Sequence, residues 1–89
     1  MKIFKYPLAI ADKQVIKLPW WSKILTVQFQ TGSLCLWAVI DENEKRTVER
    51  TFHIFATGDS LPEDLFLEGM TYIATVQEPG LVWHVFEEE

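Results

Sequence analysis

Between Lys23 and Phe86 the chain writes one strand-like alternation after another, and several of these runs carry large apolar side chains on both faces. Strand side chains point alternately to opposite sides, so a half-exposed sheet reads apolar–polar while a doubly covered one reads apolar throughout. With 89 residues the chain forms one domain, residues 1–89, with a single modest core. A second apolar face is therefore expected to be covered by further copies of the chain, the alternative being a closed barrel that keeps a few aromatics exposed.

The clearest alternation is Lys23 to Gln30, with Leu25, Val27 and Phe29 on one face and Ile24, Thr26, Gln28 and Gln30 on the other. Thr31-Gly32-Ser33 supplies a tight hairpin connection into Leu34–Ile40, a run without a polar residue that reads as a central strand. Arg46–Thr57, Met70–Gln77 and Leu81–Phe86 read as further strands, the last two joined by the turn Glu78-Pro79-Gly80. At the front, Ile3–Ile10 is a strand pushed to an edge by Pro7, and Gln14–Leu18 is a short strand ended by Pro19. Residues 62–68 have the proline and early acids of a short helix. The expected fold is all-β, a compact antiparallel barrel or sandwich of about seven strands. In the alternative, a helix after Leu61 packs on one sheet.

Thirteen acidic residues against eight basic ones give a net charge of −5, which disfavours duplex nucleic acid as a partner. The single cysteine, Cys35, lies between two leucines and reads as a buried hydrophobe. No segment has the length and apolarity of a membrane span, and the opening residues lack a signal-type apolar stretch, so a cytoplasmic protein is expected.

No phosphate loop, paired-cysteine, HExxH or GxSxG element is present, and no catalytic residue, cofactor or metal site is expected. His53 and His84 each sit in a strand between apolar neighbours, where a half-buried structural histidine is commoner than an acid–base catalyst. The loop Thr57-Gly58-Asp59-Ser60-Leu61-Pro62 is the most site-like segment: Gly58 permits close backbone approach, and Thr57 and Ser60 bring hydroxyls. Its commoner reading is a strand-to-helix connection with an Asp or Ser cap. Arg46 and Arg50 fall on one face of their strand, placed to grip a phosphate or to pair with a carboxylate such as Glu49. Trp20-Trp21 reads either as a stacking platform or, more commonly for tryptophans in small cores, as a plug at one end of the barrel.

The opening Met1-Lys-Ile-Phe-Lys-Tyr-Pro-Leu8, Leu18-Pro19, Ile24-Leu25, Leu36-Trp37-Ala38, the Thr57-Gly58 loop with Leu61-Pro62, and the closing Val82-Trp-His-Val-Phe-Glu87 together resemble the DUF7352 family across nearly the whole chain. This is a family of small uncharacterised proteins common in bacteriophage and prophage genomes. Ala56 stands where the family often has glycine. The resemblance implies no catalytic residues; it implies a phage-type setting in which small acidic β proteins act by binding.

The expected function is that of a non-enzymatic, oligomeric binding protein, such as a counter-defence factor that sequesters a nucleotide-like immune signal. Arg46 and Arg50 would meet phosphates, Trp37 or Trp83 would stack, and Thr57, Gly58 and Ser60 would close over the ligand. The alternative is an interaction module that docks its second apolar face on a host or phage protein.

Overall fold

The computed structural model describes residues 1–89 as two antiparallel sheets packed face to face. Seven strands run in chain order: β1 (Lys2–Pro7), β2 (Lys13–Pro19), β3 (Lys23–Gln30), β4 (Ser33–Ile40), β5 (Thr47–Ala56), β6 (Met70–Glu78) and β7 (Leu81–Glu88). A single short helix, α1 (Glu63–Gly69), lies between β5 and β6. The three-stranded sheet has the order β1-β4-β3, the four-stranded sheet β2-β5-β7-β6. The architecture is a sandwich rather than a closed barrel.

Between the sheets sits one core, built from the inward alternate residues of each strand. Leu34, Leu36, Ala38 and Ile40 of β4 face Phe52 and Ile54 of β5, Val85 of β7, and Ala74 and Val76 of β6. Phe52, Leu18, Leu36, Ile54, Val27 and Val85 are the largest side chains fully removed from water. Each contributes about 1.5–3 kcal/mol through burial.

The β3–β4 hairpin turns through Thr31 at φ 51° and Gly32 at φ 79°, two successive left-handed residues. That is the type I′ geometry whose twist suits a two-residue hairpin loop. Gly32 takes it freely, whereas Thr31 adopts it against the preference of a β-branched residue. Ile3–Ile10 was expected as the first strand, but pairing with β4 stops at Pro7. Leu8 N still donates to Leu34 O of β4 at 2.9 Å; the chain then crosses to the other sheet, where Gln14 of β2 clamps the backbone N and O of Ala9 with its side-chain amide.

Two bulges change the expected facing of side chains. The β3–β4 register shifts between Ile24 and Thr26, and the β6–β7 register between Tyr72 and Ala74. An extra residue in one strand reverses the alternation on one side of it. Leu25, expected to share a face with Val27 and Phe29, is therefore turned out, and Ile24 packs on the core in its place. Likewise Tyr72 points out and Ile73 packs inward. The bulged strands β3 and β6 are sheet edges that run alongside one another across the sandwich, where the added twist brings the layers together.

The second apolar face is real, and on the four-stranded sheet the chain covers it itself. His53 and Phe55 of β5 and Phe86 of β7 point away from the core, and α1 lays Phe66 over them. Phe66 meets Phe86 edge to face with centroids 5.0 Å apart and Phe55 at 6.1 Å, while Tyr72 closes on Phe86 at 5.7 Å. On the three-stranded sheet the outward residues of β4 are Cys35, which is buried, and Trp37 and Val39, which are half-buried. Lys5 of β1 lies beside Trp37 and reaches Gln30 of β3 at 2.7 Å. No helix is long and apolar enough to cross a membrane.

Candidate functional site

Trp20 and Trp21 link β2 to β3, and both are about half-exposed, at 50% and 52%. They do not plug the end of the core: neither indole is buried or belongs to the cluster packed between the sheets. Trp21 holds φ 59°, a left-handed conformation that a bulky side chain adopts only when its surroundings enforce it. The enforcing contacts surround it. Trp20 N donates to Arg46 O at 2.8 Å, Ser22 Oγ donates to Pro19 O at 2.6 Å, and Arg50 Nη1 donates to Ser22 O at 2.8 Å. The two indoles thus stand on a pinned turn.

Arg46 lies outside β5, which begins at Thr47, so it does not share a strand face with Arg50 as expected. Its guanidinium carbon sits 4.4 Å from the centre of the Trp20 ring, and Nε donates to Glu44 Oε1 at 2.5 Å. That contact, with the Arg46 backbone N–H donating to the same carboxylate, holds Glu44 below the usual carboxylate range and raises Arg46 in turn. Arg50 points to the core side of β5 and pairs in bidentate fashion with Glu87, both side chains largely buried. Neither arginine pairs with Glu49. Each is closed by a carboxylate, so the two do not converge on a common anion site.

At the other end of β5, Thr57, Gly58, Asp59 and Leu61 overhang an open-sided pocket of about 220 Å³ whose floor is Phe55, His84 and Phe86. Gly58 turns the loop at φ 95°, and a side chain there would meet nothing within 4 Å. Asp59 does not cap the helix. Its Oδ2 accepts from Ala56 N at 2.8 Å, and Pro62 occupies the cap position without a side-chain hydrogen bond. Ser60 lies on the adjoining hollow with Asp12, Lys13, His53 and Pro62.

The two histidines part company. His53 is 4% exposed and its Nε2 meets Glu88 Oε1 at 3.2 Å, a structural pairing that ties the last strand to β5. His84 is half-buried and engaged at both ring nitrogens, Nε2 with Thr57 Oγ1 at 2.7 Å and Nδ1 with Thr75 Oγ1 at 3.1 Å. Thr75 Oγ1 continues to Tyr72 Oη at 2.8 Å.

Of the residues expected to form one site, Thr57 and Gly58 gather at the pocket and Ser60 stands next to it. Trp37 lies on the outer face of the opposite sheet, and Trp83 packs against the core with Nε1 donating to Glu78 Oε1 at 3.4 Å. The stacked indole beside Arg46 is instead Trp20. Thr75 and Tyr72, members of the hydrogen-bonded chain, were not singled out from sequence; their register opposite His84 and Phe86 depends on the β6 bulge.

A small all-β sandwich with a helical cover over one sheet, bearing two separate surface features, is what the fold defines. The chain belongs to the family described as Domain of unknown function (DUF7352), whose family model matches residues 1–89. No curated protein matches the chain, and no solved structure does.

Proposed function

We propose that the protein is a non-enzymatic interaction module that docks on another protein through Trp20, Trp21 and Arg46. The observation that carries this reading is the pair of adjacent half-exposed indoles, one of them held at φ 59° on a turn pinned by three hydrogen bonds. Tryptophan and arginine dominate the energetic centres of protein interfaces, and rigid aromatic groups lose little conformational freedom on binding. Strain held at an exposed aromatic turn supports a role in recognition, since a glycine would satisfy the same backbone at lower cost.

Lys23 and Lys45, close in sequence to Trp21 and Arg46, are exposed and have no ion-pair partner. Two unpaired lysines close in sequence to the platform, on a chain of net charge −5, favour an acidic complementary surface. A phage or prophage setting suits such a stoichiometric binder. Sequestration of a nucleotide-like signal is the competing reading; it requires Arg46 to leave Glu44 before it can meet a phosphate. A second copy of the chain is a further candidate partner, with the platform and the Trp37–Val39 strip as the surfaces left to cover.

The test is affinity capture with the wild-type protein, followed by calorimetry of the purified partner against wild type and the Trp20→Ala/Trp21→Ala variant. A one-to-one complex weakened at least 100-fold by the variant supports the reading, in line with loss of a double hot spot. Equal affinity of the two proteins overturns it. Calorimetry with cyclic and ADP-ribose-type nucleotides and sedimentation velocity of the protein alone identify a nucleotide or a second copy instead.

A further inference from the structure

Away from the tryptophan platform, the pocket beneath the Thr57–Leu61 loop combines three properties that point to one ligand chemistry. Its floor is aromatic, with Phe55 and Phe86 at 6.1 Å between centroids. Its volume, about 220 Å³, exceeds the ~150 Å³ cavity that takes benzene and falls short of the ~300–1,000 Å³ usual for drug-sized ligands. Its only ionisable wall groups are Asp59 and His84, with no lysine or arginine to receive an anion.

On its polar side the pocket is lined by Thr57 and His84, the first two members of a chain Thr57–His84–Thr75–Tyr72 linked at 2.7, 3.1 and 2.8 Å. A neutral imidazole donates from one nitrogen and accepts at the other. If Nδ1 donates to Thr75, Thr57 spends its proton on Nε2 and its oxygen faces the pocket as an acceptor. If Nε2 donates to Thr57, the Thr57 proton is free to donate into the pocket, and Thr75 and Tyr72 reverse in step. Both arrangements keep every member of the chain hydrogen-bonded, so the site meets a ligand hydroxyl in either role. Asp59 keeps Oδ1 available beside it, since its backbone contact uses Oδ2.

We infer that this pocket binds a single uncharged aromatic ring carrying one hydroxyl edge, a phenol-type group, lodged against the parts of Phe55 and Phe86 that Phe66 leaves open to the pocket, with its hydroxyl on Thr57. The group is either a free small phenol or a tyrosine side chain of a partner; the chemistry of recognition is the same.

The experiment is a two-dimensional NMR titration of the intact protein with p-cresol, N-acetyltyrosinamide and benzoate. Saturable shifts confined to Phe55, Thr57, Gly58 and His84 are expected with p-cresol, at a Kd of about 1 mM, in the range for so small a ligand. Benzoate is expected to leave those resonances unmoved. N-acetyltyrosinamide binding as tightly as p-cresol assigns the site to a partner's tyrosine; tighter binding of p-cresol assigns it to a small phenol, and both support the inference. Thr57→Val is expected to weaken binding about fivefold, and Leu61→Ala, on the exposed rim, gives a second variant should the first fail to fold. Shifts scattered over the surface, benzoate binding equal to p-cresol, or unchanged affinity in both variants would overturn it.

Discussion

Phe66 of α1 meets Phe86 of β7 edge to face, 5.0 Å between ring centres, and this contact decides which surfaces the protein leaves free. By covering Phe86 and Phe55, a seven-residue helix satisfies the outer face of the four-stranded sheet from within the chain. The large aromatics left on the surface are then Trp20 and Trp21, Tyr72 beside Phe86, and Phe4 on the opposite sheet, and of these only the two tryptophans are adjacent.

Phe66→Ala is expected to destabilise the fold by about 2 kcal/mol, less than the ~3–5 kcal/mol of a fully buried phenylalanine because Phe66 is only partly enclosed. It also bares Phe55 and Phe86. Urea unfolding measures the first effect, and increased binding of a hydrophobic dye with concentration-dependent sedimentation measures the second.

Arg50→Ala is expected to cost about 2 kcal/mol, below the ~3–5 kcal/mol of a fully buried pair because some solvent reaches both side chains. The loss has two parts, an unpaired Glu87 and a Ser22 carbonyl without its donor. The second part loosens the platform, so tryptophan fluorescence anisotropy is expected to fall even where the fold persists.

Trp21→Gly is expected to hold or raise stability by up to about 1 kcal/mol, because glycine adopts φ 59° without steric penalty. Binding through the platform is expected to collapse in the same variant. Such opposite responses mark a residue retained for recognition rather than for folding.

Glu44 is expected to titrate below its ordinary value of 4.5, because Arg46 hydrogen-bonds its charged form. A depressed folded-state value means that the stabilisation is present above 4.5 and is lost as pH falls through the folded-state value. Carboxyl chemical shifts followed through an acid titration check this, and Arg46→Ala is expected to return the midpoint upward.

Much of the fold is legible in the residues. Periodicity of two marks β3 to β7 closely, and Thr31-Gly32 marks the hairpin. The outward facing of Leu25 and Tyr72 is not legible in the residues, because a bulge leaves no local signature when apolar residues fall on both faces around it. The cover over Phe55 and Phe86 was visible only as a short helix of unknown docking, since nothing within residues 63–69 says which sheet it meets. Trp20 and Trp21 read as a plug because tryptophan usually fills small cores; that the core closes without them, leaving both half-exposed, is a fact of packing rather than of sequence. Arg46 and Arg50 looked convergent at a spacing of four, but the strand starts after Arg46 and the two diverge to Glu44 and Glu87.

The most direct test of the tryptophan platform is the affinity of the purified partner for the Trp20→Ala/Trp21→Ala variant, measured beside Phe66→Ala. The double variant is expected to lose at least 100-fold with its fold intact, while Phe66→Ala binds as the wild type does. Full affinity in the tryptophan variant, or loss confined to Phe66→Ala, would contradict the assignment and return the binding surface to the face beneath the helix.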